Sequence, residues 1–356
     1  MGILGPISVL AYSQILARHG ILIKDGRALE SLRQVNTIVF DKTGTLTLEQ
    51  PTVASIHSVC GHSEDTILRY AAAAEYRQPH PIARAILAKA AERQLELPEL
   101  DEASYQVGYG IKVAVEEQVI RVGSARYLER EGIEAPEDVE IIQQKAERES
   151  HSLIYVGINR ELAGVLELIP TIRPEAKSVI RYLKQRGFKL VIISGDHEEP
   201  TRRMAEAFGI EHYYAETLPE NKAALVEQLR EQGDFVCFIG DGINDAIALK
   251  AAQLSVSLKG ASTVATDTAQ IIFMDGTLKQ LGPLFRYMDE FEKTMKTNLM
   301  TSITPGVVSI GGIYLAHFGI ATAMGLSYLG CLLGLCNSLK PLIRHEENLQ
   351  YSDLQY

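Results

Sequence analysis

Short apolar runs recur along the chain, and each is followed by a polar turn that contains glycine. Residues 36–40 (Asn-Thr-Ile-Val-Phe), 190–193 (Leu-Val-Ile-Ile) and 235–239 (Phe-Val-Cys-Phe-Ile) are rich in β-branched and aromatic residues, which is typical of buried strands. Segments with a helical pattern lie between the last two runs or before them, at residues 173–187, 201–208 and 222–232. Because strands and helices alternate, the sequence predicts a parallel sheet of the α/β class.

A different pattern interrupts this alternation between residues 50 and 161. It opens with an alternating run at residues 51–56 and continues with a helical stretch at residues 64–76. A pair of strand-like runs follows at residues 111–115 and 119–122. This order indicates an inserted α+β domain.

The last apolar stretch is long enough for a membrane. Residues 297–339 contain no Asp, Glu, Lys or Arg, and this length suffices for two helices of about 20 residues each. Lys293 and Lys296 precede the stretch, and Lys340 and Arg344 follow it. Basic residues favour the cytoplasmic side, so we predict a transmembrane hairpin with both ends in the cytoplasm. A buried hairpin of a soluble protein is the alternative.

Two flanking segments complete the pattern. Residues 2–17 are apolar and are shorter than the roughly 20 residues that span a bilayer. They indicate either the cytoplasmic end of a membrane helix or a short core helix. Residues 279–296 are charged and helical in pattern, and they lead into the hairpin.

Composition narrows the class of protein. The chain has 356 residues, of which 46% are hydrophobic and 22% charged, as expected for a globular protein with some membrane-buried sequence. A net charge of −10, without a basic tract, gives no indication of nucleic-acid binding. Four cysteines in unrelated contexts indicate no disulfide framework.

Polar residues at the ends of the predicted strands form a candidate catalytic site. Asp41 follows the first strand, and a carboxylate at the carboxyl end of a parallel strand can attack a phosphoryl group and become an aspartyl phosphate. Lys222 supplies a cation on a flexible stem, and Ser194 supplies a hydroxyl donor. Asp241, after the last strand, adds an oxygen ligand of the kind that Mg²⁺ prefers.

These motifs, in this order, resemble the P-type ATPases, and within them the branch that transports heavy metals. The matching residues are Asp-Lys-Thr-Gly-Thr-Leu-Thr at 41–47, His-Pro at 80–81, Gly-Tyr-Gly at 108–110, Gly-Asp at 195–196, Pro-Glu-Asn-Lys at 219–222 and Gly-Asp-Gly-Ile-Asn-Asp at 240–245. The resemblance covers nearly the whole chain.

The resemblance implies a role for each residue of the phosphorylation site. Asp41 would take the γ-phosphoryl group of MgATP, and Mg²⁺ would be held by Asp41, Asp241 and the backbone carbonyl of Thr43. The other implied roles are charge neutralisation by Lys222, hydrogen bonding by Ser194, loop orientation by Asn244 and Asp245, and closure of the inserted domain through Asp196.

The resemblance also implies that the inserted domain binds ATP. His80 would stack on or hydrogen-bond adenine, with Glu75 nearby in the same nucleotide site, and Gly108 and Gly110 would leave room for base or ribose. Without the resemblance, His80 would be interpreted as a residue at a helix N-terminus or as a packing residue. One departure is Pro79, since the family usually has Glu before its His-Pro pair.

The expected fold is therefore α/β: a haloacid dehalogenase-like parallel-sheet domain with an inserted α+β nucleotide-binding domain and a C-terminal transmembrane hairpin. The predicted divisions are residues 1–26 (end of a membrane helix and stalk), 27–49 and 162–296 (phosphorylation domain), 50–161 (nucleotide-binding domain), 297–343 (hairpin) and 344–356 (cytoplasmic tail).

The expected function is ATP hydrolysis in a heavy-metal cation pump, with Mg²⁺ and ATP as cofactors and the membrane as a partner. The family's Thr-Gly-Glu motif of the actuator domain does not occur in this sequence, so transport is expected to need a further N-terminal half. Two alternatives stay open: a haloacid dehalogenase-like phosphatase, and a membrane partner that does not transport.

Four soft or borderline ligands in the hairpin fit either a metal pathway or ordinary packing: His317, Met324, Cys331 and Cys336.

Overall fold

The computed structural model describes residues 3–98, 102–106, 110–240, 245–258 and 268–353, with the backbone alone for 102–106 and 345–353. The chain forms two compact units. The first comprises Met1–Asp41, Glu175–Val191 and Leu218–Tyr356, and the second comprises Lys42–Pro174 and Ile192–Thr217. The predicted domain boundaries at residues 50 and 161 stay predictions.

The first unit contains a sheet and three long helices. Its strands are β1 (Ile21–Ile23), β2 (Thr37–Asp41), β9 (Lys189–Ile193, which begins in this unit), β11 (Val236–Gly240), β12 (Leu254–Leu258) and β13 (Ile271–Phe273). Its helices are α1 (Leu4–Arg18), α2 (Arg27–Leu32), α7 (Ala176–Gln185), α9 (Pro219–Glu231), α10 (Ala246–Ala251), α11 (Leu281–Ala316) and α12 (Ile320–Asp353).

Strands of this sheet follow the order β1-β13-β12-β11-β2-β9. The pairs β13/β12, β12/β11 and β11/β2 are parallel, and β1 pairs with β13 in the antiparallel sense. All five positions of β2 and of β11 are buried, as expected for parallel strands covered on both faces. The predicted parallel α/β sheet is therefore confirmed, and the strand that carries Asp41 lies inside it.

Helices begin where the local sequence allows. Pro219 opens α9 at its first helical position, where the missing N–H costs nothing. In α7 the helix starts at Ala176, after Pro174, with apolar residues Val179, Ile180 and Leu183 buried. The predicted starts at residues 222 and 173 were therefore a few residues off.

Helices α11 and α12 are the two described helices that are long and apolar enough to cross a membrane, with spans at Leu278–Ala316 and Ile320–Arg344. Their apolar side chains are largely uncovered, and Leu315 for example is 88% exposed. The charged residues predicted to be helical and the first apolar span belong to one helix, because α11 runs from Leu281 to Ala316 without interruption. The i,i+4 pair Lys296–Glu292 (2.9 Å) belongs to this continuous helix.

The second unit is built on a six-stranded sheet in the order β3-β8-β7-β6-β5-β4, with every pair antiparallel. Its strands are β3 (Thr52–Ser58), β4 (Glu102–Gln106), β5 (Gly110–Val115), β6 (Gln118–Gly123), β7 (Ser152–Ile158) and β8 (Glu161–Ile169). The unit also holds α3 (Glu64–Glu75), α4 (Pro81–Glu92), α5 (Ala125–Arg130), α6 (Glu137–Arg148), α8 (Glu198–Phe208) and β10 (His212–Tyr214).

Helices cover both faces of this sheet. Val156 packs with residues of α3 and α4, whereas its neighbour Tyr155 packs with residues of α5 and α6. Successive side chains of a strand point to opposite faces, so the two clusters lie on opposite sides. The predicted inserted α+β arrangement is present.

Candidate phosphorylation site

Asp41 ends the buried strand β2, and its carboxylate is itself only 4% exposed. Lys222, in the first turn of α9, donates one hydrogen bond to Asp41 Oδ1 and another to Asp245 Oδ1, the latter at 2.7 Å. All three side chains are at least nine-tenths buried. One ammonium group therefore bridges two buried carboxylates in the first unit.

Lys222 occupies a position that helix packing alone would fill with an apolar residue. The buried residues of α9 are Lys222, Ala223, Val226 and Leu229, which form one face of the helix. A buried cation is costly unless it is paired and hydrogen-bonded. The two carboxylates provide that pairing, so this face of α9 holds a charge among apolar neighbours.

The charge on Lys222 is maintained by its partners. Burial by itself lowers the pKa of the ammonium group, but the charges of Asp41 and Asp245 outweigh burial, and the net effect raises the pKa above its ordinary value. Lys222 is therefore cationic at neutral pH. Without it, two buried carboxylates would lose the ammonium group that lies between them.

Gly240 makes room for this arrangement. A Cβ atom at position 240 would lie 2.7 Å from Asp245 Oδ2 and 2.9 Å from the ring of Phe238, distances that force a displacement. Glycine at the end of β11 thus lets the carboxylate of Asp245 approach the strand backbone.

In the second unit, the turn that follows Asp41 has a defined shape. Gly44 adopts a left-handed conformation (φ +75°), which glycine tolerates best. The Gly44 N–H donates to Thr47 Oγ1 (3.2 Å), and Arg173 donates to the Gly44 carbonyl (2.7 Å). Thr43 is extended and exposed. The turn is held from several sides, and the backbone after Asp41 is fixed.

A second buried lysine lies in this turn. Lys42 forms an ion pair with Asp196, whose side chain is 29% exposed. Ser194 accepts a hydrogen bond on its hydroxyl from the Asp196 N–H (3.1 Å), and its own N–H donates to the Tyr214 carbonyl (2.9 Å). The sequence interpretation assigned roles to Ser194 and Asp196 but none to Lys42 or Arg173. A lysine next to the predicted nucleophile was the available signal; for Arg173 there was none.

Three predicted site residues lie outside the described residues: Asp241 and Asn244 of the last catalytic loop, and Gly108 of the inserted domain.

The predicted adenine contacts lie at facing ends of two consecutive helices. Glu75 is the last residue of α3, 6% exposed, and its Oε2 atom has no hydrogen-bond partner among the described residues. Burial raises its pKa to about 7. His80 caps the N-terminus of α4, where its Nδ1 atom accepts a hydrogen bond from the Ile82 N–H (3.2 Å). With Nδ1 as acceptor, the neutral ring carries its proton on Nε2.

Gly110 has a packing reason that the sequence did not reveal. A Cβ atom there would lie 2.2 Å from the ring of Tyr127. The structure therefore explains this glycine by close packing of an aromatic ring, whereas its predicted contact with nucleotide stays a prediction.

The four soft or borderline side chains of the hairpin lie on its two helices or at a helix end. His317 is the C-cap residue of α11, and Cys331 and Cys336 are exposed on α12. Within the described part of the chain, no group of three or more His, Cys, Asp or Glu side chains is placed to hold a metal ion.

Comparison with known proteins identifies the family. Residues 35–253 match the haloacid dehalogenase-like hydrolases. The copper-exporting P-type ATPase of Vibrio cholerae is 32% identical over 322 residues, which is 90% of this chain and 35% of that protein. The zinc-transporting ATPase of Bacillus subtilis is 32% identical over 326 residues, 90% of this chain and 50% of that protein.

Solved structures give the same result. A zinc-transporting PIB-type ATPase in its E2.Pi state superposes with a TM-score of 0.79 and 30% identity, covering 96% of this chain and 55% of that one. The catalytic domain of the CPx-ATPase CopB-B, studied for conformational changes upon nucleotide binding, superposes with a TM-score of 0.59 and 29% identity, covering 76% of this chain and 98% of that domain.

The chain spans half or less of the length of these curated relatives. Its match to the hydrolase family includes Asp41, Lys222 and Asp245. The chain therefore belongs to the haloacid dehalogenase-like hydrolases, with heavy-metal P-type ATPases as its relatives over most of its length.

Proposed function

We propose that this chain is the ATP-hydrolysing part of a heavy-metal cation pump and that it forms an aspartyl phosphate on Asp41. The observation that carries the proposal is the ammonium group of Lys222 between the buried carboxylates of Asp41 and Asp245. A nucleophilic carboxylate with a fixed neighbouring cation is what phosphoryl transfer requires, since positioning and electrostatic stabilisation supply most of the catalysis.

The proposed reaction has two steps. A carboxylate oxygen of Asp41 forms a bond to the γ-phosphorus of ATP while the bond to the β,γ-bridging oxygen breaks, and ADP leaves with that electron pair. Water then attacks the same phosphorus, inorganic phosphate departs and the carboxylate is restored. Lys222 offsets the negative charge that gathers on the phosphoryl oxygens, and Asp245 keeps the ammonium group in place.

The donor set fits Mg²⁺. Carboxylate and carbonyl oxygens are hard ligands, and Mg²⁺ is commonly bound by one or two carboxylates together with substrate phosphates. Asp41, the Thr43 carbonyl and Asp241 are proposed to hold the ion, which when bound would neutralise phosphate charge. The ion pair between Lys222 and Asp245 does not depend on the metal ion.

Glu75 and His80 are the proposed adenine contacts of the second unit. A buried carboxyl whose pKa is raised to about 7 carries a proton much of the time at neutral pH, and it can then both donate and accept hydrogen bonds. His80 is exposed and presents its Nε2 side away from the helix cap. Ser194 and Asp196 are proposed to act, respectively, as a hydroxyl donor and as the partner that holds Lys42.

A free-standing phosphatase is less favoured by the chemistry of position 43. Phosphatases of this superfamily use a second carboxylate two residues after the nucleophile as a general acid, and this chain has Thr43 there. A threonine cannot serve as an acid at neutral pH, so the phosphoenzyme is expected to be long-lived.

The transported ion and the location belong to the same proposal. Relatives are named as copper, zinc and manganese transporters, so we propose a transition-metal cation as cargo and a partner N-terminal half that completes the pathway. The two apolar helices support membrane insertion, with the catalytic units on the cytoplasmic side.

Labelling with γ-³²P-ATP tests this function. The expected product is an acid-stable adduct on the chain that hydroxylamine removes and that is absent from Asp41→Asn. Uptake of label by Asp41→Asn equal to that of the parent chain would contradict the proposal.

A further inference from the structure

A cavity of about 430 Å³ opens among the three long helices of the first unit, a size within the range of small-molecule sites of roughly 300–1,000 Å³. Helices α1, α11 and α12 all contribute to its wall. Tyr12 of α1, Thr294 of α11 and Asn337 of α12 are among the lining residues.

Positive charge dominates this cavity. Lys293, Lys340 and Arg344 line it together with a single carboxylate, Glu290. None of the three cations forms an ion pair with a carboxylate of the described side chains, although nearby Lys296 is paired with Glu292 (2.9 Å). Three cations that share one cavity repel one another, so their charge favours an anion over a metal cation as the ligand of this cavity.

Neutral hydrogen-bonding groups form the inner wall. Tyr12 and Thr294 share a hydrogen bond between their hydroxyls (3.0 Å), and Asn337 donates to the Thr294 carbonyl (3.2 Å) and to Asn298 (2.9 Å). These contacts tie α1, α11 and α12 together at this level. The cavity is therefore held open by a fixed polar wall.

The position of the cavity along the two apolar helices places it at a membrane surface. From Lys293 to the end of α11 at Ala316 the helix rises about 35 Å, and from Ile320 to Lys340 about 30 Å. The hydrocarbon core of a bilayer is roughly 30 Å thick. With the hairpin inserted, the three cations lie at the level of the lipid headgroups, at the end of α11 nearer to the sheet of the first unit.

We propose that this cavity binds the phosphate of an anionic phospholipid headgroup. Lys293, Lys340 and Arg344 supply the counter-charges, and the guanidinium group of Arg344 suits two phosphate oxygens at once. Basic pockets between membrane helices are suited to anionic headgroups. A soluble phosphate offers the same chemistry, and the experiment separates the two sources.

Native mass spectrometry of the full chain in neutral detergent, titrated with dioleoylphosphatidylglycerol, tests the proposal. We expect one retained lipid per chain and weaker retention of dioleoylphosphatidylcholine. Replacing Lys293, Lys340 and Arg344 by Gln is expected to weaken binding about fivefold per charge and roughly a hundredfold together. The matched control is Lys296→Gln, which removes a charge of α11 that does not line the cavity and is expected to change binding less than twofold.

Several results would overturn the proposal. They are equal retention by the triple variant, an equal loss in Lys296→Gln, and displacement of the lipid by inorganic phosphate at equal concentration. If the triple variant loses its helical circular dichroism, single variants Lys340→Gln and Arg344→Gln each retain the fivefold criterion. Phosphorylation of Asp41 does not enter this measurement, so its failure is distinguishable from failure of the proposed function.

Discussion

Two buried ionisable groups, one in each unit, show opposite solutions to the same problem. Lys222 lies among apolar residues with a carboxylate on either side, and its charge is retained. Glu75 is buried to a similar degree, but its Oε2 atom has no partner among the described residues and burial raises its pKa to about 7. The first group is preorganised for charge that develops on a phosphoryl group. The second is ready to gain a ligand.

The largest expected loss of stability and of phosphorylation comes from removing the ammonium group of Lys222. Lys222→Met removes the ammonium group that lies between the buried carboxylates of Asp41 and Asp245, which is expected to lower the free energy of unfolding by about 3–5 kcal/mol. Phosphoenzyme formation is expected to fall at least about a hundredfold. Urea denaturation and γ-³²P-ATP labelling measure the two effects.

The control for this variant is Lys189→Met. Lys189 pairs with Asp234 at 2.7 Å, but its side chain is 34% exposed, so the loss is expected to stay within about 1 kcal/mol. Equal losses of unfolding free energy in the two variants would show that Lys222, although buried between two carboxylates, contributes no more to stability than Lys189.

Glu75→Gln tests how the buried carboxyl group of Glu75 affects stability as the pH changes. The pKa of Glu75 is raised in the folded chain, so the folded state binds its proton more tightly than the unfolded state does. Stability is therefore expected to fall as pH rises from about 4.5 to about 7 and to stay flat above that. The variant is expected to lack this slope and to be more stable at pH 8 by up to about 3 kcal/mol.

Urea denaturation of both chains between pH 5 and pH 8 measures this slope. If the difference between Glu75→Gln and the parent chain did not change with pH, Glu75 would carry its charge in the folded state, contrary to its desolvated position.

Lys42 is an intermediate case. Its side chain is buried, but its partner Asp196 is partly exposed and water can compensate that carboxylate. Lys42→Met is therefore expected to cost about 1–2 kcal/mol, less than Lys222→Met. Denaturation of Asp196→Asn, for which a similar loss of unfolding free energy is expected, is the companion measurement. If Lys42→Met lost more stability than Lys222→Met, the expected order of the two lysines would be wrong.

His80 gives the smallest expected change in stability. His80→Ala removes the cap of α4 and is expected to cost about 1 kcal/mol, whereas Asn is itself a good cap and His80→Asn is expected to keep most of the stability. If His80 contacts adenine, both variants lose affinity for ATP by about tenfold in equilibrium binding. Normal affinity for ATP in the Asn variant would show that His80 acts only as the N-cap of α4.

Local sequence was sufficient for the elements of the catalytic site. An apolar run ending in Asp predicts β2 and the position of Asp41, and the resemblance places Lys222 beside it. Packing across long separations was not accessible. The hydrogen bond from Arg173 to Gly44 and the contact of Gly110 with Tyr127 depend on where distant segments meet. The sequence did not show where α11 begins and ends, because a change from charged to apolar residues does not by itself end a helix.

The central claim is that Asp41 becomes covalently phosphorylated. The most direct measurement treats the full chain with Mg²⁺ and ATP, quenches it in acid, reduces it with borohydride and locates the product by peptide mass spectrometry. Reduction converts an aspartyl phosphate to homoserine, so we predict homoserine at position 41 in the treated chain and aspartate there without ATP. ATP hydrolysis with aspartate unchanged at position 41, or homoserine at another position, would contradict the account.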